Sequence, residues 1–279
     1  METLIITTDF SQAAMNAARY AAGLAKAIGI SNIILYHSYD NALSATEIPI
    51  AETDSAQAQE ESLLALRIVE RKIGLVLGSD NQINIKLVSN GMPLELGVEQ
   101  LAEQWRAGLI VAGTTGKTGM EKFLLGSNTL SLANSCQTPL LIVPNDAVFN
   151  GIEKIVLACD LKKVTRSTPV SQIGWWLEKL KAKLLVVNVA LESTRFDAEI
   201  ITEQYNMHAI LDGFEPSYNY VEGEDIAEEI AEFAKDEAAS LVITVPKTHG
   251  FFEGLFQQSI SRRLLDKPVV PLLLLKEKQ

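Results

Sequence analysis

An internal duplication limits the fold of this 279-residue chain more than any other feature of its sequence. A β-branched run ends at Asp9, an Ala-rich helical stretch follows, and a second apolar run occupies residues 32–38. The same order recurs downstream, with Asp160 in the place of Asp9. Asn188 takes the place of His37 at the same offset of 151 residues. One offset shared by two anchors indicates two copies of a single unit.

The later strands repeat as well, but at a smaller offset. Residues 85–91 parallel residues 218–223, and each copy closes with an apolar run after a proline, Pro139 or Pro268. The offset at these prolines has fallen to 129 residues. Most of the difference lies between the second and third strands, where the first copy carries a polar segment, residues 41–61.

Each copy therefore alternates five strands with four helices. This order predicts an α/β fold, with two tandem doubly wound (Rossmann-like) domains. Each domain is expected to be an open five-stranded parallel sheet with helices on both faces. We expect the domains over residues 1–146 and 151–279, joined by Asn145–Gly151 and packed as an intramolecular pseudo-dimer. In such sheets ligands bind at the carboxyl ends of the strands, where the strand order reverses.

Composition excludes several classes of partner. The net charge of −11 is divided almost evenly between the two halves, so neither half is basic. This argues against nucleic acid and against an anionic membrane surface, since both attract basic proteins. The two cysteines form no metal motif, the N-terminus has no basic signal region, and no apolar run reaches about 18 residues. We expect a cytoplasmic protein with no metal ligands of its own.

The segment Gly113–Thr129 carries the strongest binding signal. It follows an apolar strand, and its final Gly126-Ser127 precedes helical sequence. Glycine allows close approach of a ligand to the backbone, and a helix N-terminus binds phosphate. The alternative is a pair of ordinary turns around a loop. A Walker A loop is excluded, because its first glycine would have to stand at Val111, inside the strand.

The spacing Gly113-x2-Gly116-x9-Gly126-Ser127 matches the G-2x-G-9x-G-(S/T) ATP-binding pattern of the universal stress proteins. Residues 8–11 also resemble the first strand–helix turn of that family, and the resemblance covers both copies. It implies the fold of the adenine nucleotide α-hydrolase-like group, with a nucleotide bound between the two halves of each sheet. It further implies that the domains pair through their last strands.

The resemblance assigns roles to residues of the first copy. It implies that Asp9 lies by the adenine or ribose with Thr7 beside it, and that the Ser38 backbone faces the adenine. An equal alternative for Asp9 is a carboxylate that only initiates the helix. Thr115 stands where many members have His, so its contact stays open. The residues implied at the ribose and phosphates are Ala112, Gly113, Gly116, Gly126, Ser127, Asn128 and Thr129.

The second copy departs from this pattern. Its glycine positions read Pro246 and His249, and Gln257 and Gln258 stand near the expected Gly-Ser. Proline offers no amide, and glutamine takes positive φ only at a cost. We therefore expect that the second copy, although it keeps Asp160, binds no triphosphate in this mode.

No catalytic residue set is identified, and His37 is expected to be a hydrogen-bonded core residue rather than a ligand. The leading hypothesis is a stress-response protein that binds ATP, or else AMP or ADP, with Mg²⁺, as a regulatory ligand of the first domain. Little or no turnover is expected. The alternatives are an ATP-hydrolysing or adenylate-forming enzyme of the same fold group, or a nucleotide-free interaction scaffold. Whether two chains form a homodimer is left open.

Overall fold

The computed structural model describes residues 1–39, 52–79, 81–114, 127–190, 198–246 and 270–276. These residues form two compact units, and the chain passes from the first to the second between Phe149 and Asn150. Among the helices of these residues, none is long and apolar enough to cross a membrane.

The first unit alternates strands and helices throughout. Its strands are β1 (Thr3–Thr7), β2 (Asn32–Ser38), β3 (Asn84–Asn90), β4 (Leu109–Gly113) and β5 (Leu140–Val143). Its helices are α1 (Gln12–Ile28), α2 (Glu52–Leu77), α3 (Leu94–Trp105) and α4 (Ser127–Ser135). All strands are parallel and follow the order β3-β2-β1-β4-β5. The strand order therefore reverses between β1 and β4.

The central strands of this unit are buried on both faces. Leu4, Ile5 and Ile6 of β1 have no exposed surface, as a parallel sheet covered by helices on both sides requires. Fully burying one such side chain contributes about 1.5–3 kcal/mol. Helix α1 begins where sequence predicts, because the Ser11 side chain accepts a hydrogen bond from the Ala14 amide. It ends at Gly29, whose φ of 73° suits glycine.

The second unit repeats the arrangement. Its strands are β6 (Lys154–Ala158), β7 (Lys183–Ala190), β8 (Ser217–Glu222), β9 (Leu241–Thr244) and β10 (Leu272–Leu274). Its helices are α5 (Val164–Ser167), α6 (Val170–Leu180), α7 (Ala198–Leu211) and α8 (Ile226–Asp236). The parallel order β8-β7-β6-β9-β10 is the order of the first unit. The predicted α/β fold with two doubly wound units is confirmed.

The two units differ in two of their helices. Helix α2 has 26 residues and its counterpart α7 has 14, which explains much of the fall in the repeat offset. The polar segment at residues 41–61 is thus helical from Glu52 onward rather than a simple insertion. In the second unit the helix after the first strand is divided into α5 and α6. The break falls at Thr168 and Pro169, and proline lacks the amide hydrogen that a continuous helix needs.

Candidate functional site

A cleft of about 300 Å³ lies at the carboxyl ends of β1 and β4, where the strand order of the first unit reverses. This is the position at which open α/β sheets bind ligands. Three predicted site residues, Thr115, Gly116 and Gly126, lie outside the described residues. The other eight all line the cleft: Thr7, Asp9, Ser38, Ala112, Gly113, Ser127, Asn128 and Thr129.

The turn after β1 holds Asp9 at the cleft. The Asp9 Oδ1 atom accepts a hydrogen bond from the Ser11 amide at 3.0 Å, and the Thr8 hydroxyl accepts one from the Phe10 amide at 3.0 Å. These bonds support Phe10 in a left-handed conformation, with φ of 63°. Asp9 is exposed and has two carboxylate oxygens, so it can hold the turn with one and meet a ligand with the other.

Thr7 and Gly113 contribute to the packing of the elements that line the cleft. The buried Thr7 hydroxyl donates to the Val111 carbonyl of β4 at 3.3 Å. A Cβ atom added to Gly113 would lie 2.6 Å from the Ala13 carbonyl oxygen, in the first turn of α1. Glycine at this position therefore allows α1 to approach β4, whatever it also offers to a ligand.

The N-terminus of α4 forms the opposite side of the cleft. The Thr129 hydroxyl donates to the Gly113 carbonyl at 2.8 Å and fastens α4 to β4. Exposed Ser127 and Asn128 occupy the first turn of this helix, where amides have no intrahelical partner and the helix dipole favours anions. This end of α4 is suited to a phosphate group.

The charged side chains of the cleft are acidic. Within the described lining they are Asp9 and Glu95, and no Lys or Arg is present. Glu95 accepts a hydrogen bond from the Ser131 hydroxyl of α4. From the described part of the cleft, attraction for an anion must therefore come from backbone amides rather than from basic side chains.

His37 is a cleft residue that sequence reasoning assigned to the core. Its ring is only half-buried and lines the cleft, while its Nδ1 atom lies 2.8 Å from the Ser62 hydroxyl of α2. The Phe10 ring packs against it, with centroids 4.4 Å apart. Burial lowers the pKa of His37, and the negative charge of Asp9 opposes that shift. The sequence feature that could have indicated a place in the cleft was the position of His37 near the carboxyl end of a predicted inner strand.

The equivalent cavity of the second unit is much smaller, at about 40 Å³. It is lined in part by Cys159, Asp160 and Thr244. Asp160 repeats the turn of Asp9, since its Oδ1 atom accepts a hydrogen bond from the Lys162 amide at 3.1 Å. The first strand–helix turn is therefore retained, and the described cavity beside it is smaller than that of the first unit.

Sheet register corrects one sequence expectation about the second unit. Ile243 pairs with Leu157 as Val111 pairs with Ile6 in the first unit. Val245, rather than Pro246, therefore takes the place of Gly113. The sequence comparison was wrong by one residue because backbone pairing, not the residues of the following loop, sets the register. Val245 lines the small cavity and brings a side chain where the first unit has none.

Three kinds of comparison relate the chain to known proteins. Residues 1–144 match the model of the Universal stress protein family. Universal stress protein E of Escherichia coli K12 is 30% identical over 105 residues, which cover 38% of this chain and 30% of that protein. The match thus spans less than a third of that relative's length. Universal stress protein MJ0531 of Methanocaldococcus jannaschii is 32% identical over 143 residues, 50% of this chain and 80% of that protein.

Solved structures show the same fold over the whole chain. A universal stress protein from Archaeoglobus fulgidus DSM 4304 has a TM-score of 0.74, with 16% identity and coverage of 98% of both chains. A putative universal stress protein from Pseudomonas aeruginosa UCBPP-PA14 has a TM-score of 0.59 and 14% identity, and the match covers 99% of this chain and 94% of that one. At these identities the likeness establishes the fold.

Proposed function

Because the chain belongs to the universal stress protein family, we propose that its first unit binds an adenine nucleotide in the cleft between β1 and β4. The ligand is ATP, or else AMP or ADP, and it acts in a stress response as a regulatory ligand with little or no turnover. The observation that carries this proposal is the cleft itself. Eight residues selected from the sequence line one cavity at the reversal of strand order.

The two sides of the cleft suit the two ends of a nucleotide. We place the phosphates at the N-terminus of α4, beside Ser127, Asn128 and Thr129, because unpaired amides there favour anions. The base and ribose then lie towards Asp9 and Ser38. A Mg²⁺ ion that accompanies ATP would be bound mainly by phosphates and water, and within the described lining Asp9 and Glu95 are the carboxylates that could contribute to holding it.

Apart from the Mg²⁺ that would accompany ATP, the described lining of the cleft supplies few of the groups that turnover needs. Phosphoryl transfer needs groups that neutralise the charge developing on the transferred phosphate, commonly Lys, Arg or metal ions. The lining that the structure describes offers no basic side chain. A regulatory role, in which the nucleotide stabilises the unit that holds it, needs only the amides of α4 and the carboxylate of Asp9.

We propose that the second unit binds no triphosphate. Its cavity of about 40 Å³ is far smaller than that of the first unit, and Val245 occupies the place of Gly113. The retained Asp160 turn has a role in the fold of that unit, because the Asp160 Oδ1 atom accepts a hydrogen bond from the Lys162 amide.

The acidic composition supports a protein without nucleic-acid or anionic-membrane partners. A cytoplasmic location, pairing of the two units through their last strands, and association of two chains stay predictions. Analytical ultracentrifugation of the full chain, with and without ATP, measures the last of these.

Ser127→Asp tests where the phosphates bind, with Ser127→Asn as the matched control. Both residues are accepted at a helix N-terminus, and only Asp adds a negative charge. At about 5 Å from a phosphate, that charge costs on the order of 1–3 kcal/mol, or about 5- to 150-fold in Kd. Isothermal titration of ATP is expected to show this loss for Ser127→Asp, whereas Ser127→Asn binds like the wild type.

The melting temperature without nucleotide serves as the folding control. Ser127→Asp is expected to melt no lower than the wild type, since a carboxylate stabilises the first turn of a helix. If Ser127→Asp binds ATP as tightly as Ser127→Asn, the phosphates do not lie at α4 and the proposed site is wrong.

A further inference from the structure

A closed set of hydrogen bonds links the His37 side chain to its own carbonyl. The Nδ1 atom of His37 lies 2.8 Å from the Ser62 hydroxyl, which lies 2.5 Å from the Ser89 hydroxyl. Ser89 in turn donates to the His37 carbonyl at 3.2 Å. Ser62 and Ser89 are each 5% exposed, so these hydroxyl groups find their partners within the protein.

The number of protons in this set decides which ring nitrogen of His37 is protonated. A carbonyl only accepts, so if all three contacts are hydrogen bonds at once, the single hydroxyl proton of Ser89 goes to the His37 carbonyl. Ser62 must then donate its own proton to Ser89, and it can only accept from His37. The His37 ring therefore carries its proton on Nδ1. In a neutral imidazole the other nitrogen, Nε2, is then a hydrogen-bond acceptor.

The neutral form of the ring is the favoured one. Burial lowers the pKa of His37 from its ordinary value of 6.5, against the opposing charge of Asp9. The ring lines the cleft beside Ser38, with Phe10 against it. Because Nδ1 is engaged by Ser62 of α2, Nε2 is the polar atom that His37 has to offer a ligand.

We propose that His37 Nε2 accepts a hydrogen bond from the exocyclic amino group of a bound base, and so selects amino-substituted bases over oxo-substituted ones. The inference rests on the proposed nucleotide site and identifies the side chain that recognises the base at that site. Adenine carries an amino donor at C6, whereas hypoxanthine and guanine carry an oxygen acceptor at that position. An acceptor facing Nε2 would leave two acceptors without a proton between them. Ser62 and Ser89 act as positioning residues, because they fix the tautomer.

ATP and ITP test the proposal, because they share sugar and phosphates and differ at C6 of the base and the adjacent N1. Isothermal titration is expected to show ATP binding about 10- to 100-fold tighter than ITP. His37→Asn is expected to bring the two affinities close together, since its amide can turn either a donor or an acceptor to the base. Asn188 holds the same position in the second unit, so the fold accommodates this residue.

Ser62→Ala separates the positioning role from a structural one. It removes the acceptor of the Nδ1 proton, so the alternative tautomer becomes populated and the ratio of ITP to ATP affinity rises. A merely structural role would weaken both nucleotides alike and leave that ratio unchanged. Equal binding of ATP and ITP by the wild type overturns the role of His37 alone, whereas binding of neither nucleotide refutes the proposed function of the cleft, and with it this role.

The tautomer can be measured without any nucleotide. Long-range ¹H–¹⁵N correlation spectra of the ligand-free full chain are expected to show the His37 proton on Nδ1. A proton on Nε2 instead overturns the inference, whatever the titrations show.

Discussion

Gly113→Ala tests whether glycine at the end of β4 is required by the approach of α1. The added Cβ atom would lie 2.6 Å from the Ala13 carbonyl oxygen, 2.8 Å from its carbonyl carbon and 3.0 Å from the Ala14 amide nitrogen. All three atoms belong to the backbone, so no side-chain rotation can relieve the contact. Either α1 moves away from β4 or β4 distorts.

The magnitude follows from the cost of overpacking. Inserting one carbon into a closely packed site costs about 1–3 kcal/mol, and a backbone contact places this case near the upper part of that range. For a chain of about this size, each kcal/mol lowers the melting temperature by about 2–4 °C. We expect Gly113→Ala to melt about 4–10 °C below the wild type. ATP affinity should fall too, because Gly113 and Ala13 line the cleft.

Gly74→Ala is the matched control for the assay. Gly74 lies within α2, and a Cβ atom there would meet nothing within 4 Å. Alanine in such a helix position stabilises by about 0.4–1 kcal/mol. Urea unfolding and thermal melts followed by circular dichroism measure both variants. If Gly113→Ala is as stable as the wild type while Gly74→Ala is more stable, the packing explanation for Gly113 is refuted.

Three further predictions concern neighbouring groups. Gly97→Ala should destabilise the chain, because the added Cβ atom would overlap the Tyr36 hydroxyl oxygen. Tyr36→Phe should recover part of this loss, and additive unfolding free energies of the two changes would contradict the prediction. The preference for ATP over ITP should fade as the pH is lowered through the pKa of His37, because a protonated ring donates at Nε2. Burial lowers this pKa below its ordinary value of 6.5, and the charge of Asp9 opposes the shift. A preference that stays constant in titrations across this pH range would contradict the prediction. Thr129→Val should lower the free energy of unfolding in urea by about 0.5–1.5 kcal/mol, because it removes the 2.8 Å hydrogen bond to the Gly113 carbonyl of β4. An unchanged unfolding midpoint would show that this bond does not stabilise the fold.

Local pattern was enough to predict the fold and much of the cleft. The apolar runs that became β1, β2 and β4 lie where their sequence indicates, because a strand buried on both faces needs a continuous apolar run. Residues that directly follow such strands meet at one edge of a parallel sheet. The sequence therefore predicts that Asp9 and Gly113 lie at one site.

The features that escaped prediction depend on contacts between distant segments. The engagement of His37 Nδ1 comes from the buried Ser62 of helix α2, which lies 25 residues further along the chain. The place of Val245 follows from the pairing of β9 with β6, which no local pattern reveals. Helix α2 also begins in a stretch whose polar composition hid its helical character. In each case the local structure depends on contacts between distant segments, which the secondary-structure propensity of the local sequence does not determine.

The two copies of the fold differ at the reversal of strand order. The first unit keeps Gly113 and a cleft of about 300 Å³, whereas the second keeps the aspartate turn and has a cavity of about 40 Å³. The helix after the first strand also differs, since it is continuous in the first unit and divided at Thr168 and Pro169 into α5 and α6 in the second. Similar strands thus support unequal sites.

The number of ATP molecules bound by each full-length chain tests the central claim most directly. Isothermal titration or equilibrium dialysis with ATP and Mg²⁺ gives this number without any variant. The account predicts one ATP per chain, held by the first unit. A stoichiometry of zero would contradict the proposed site, and a stoichiometry of two would contradict the proposal that the second unit binds no triphosphate.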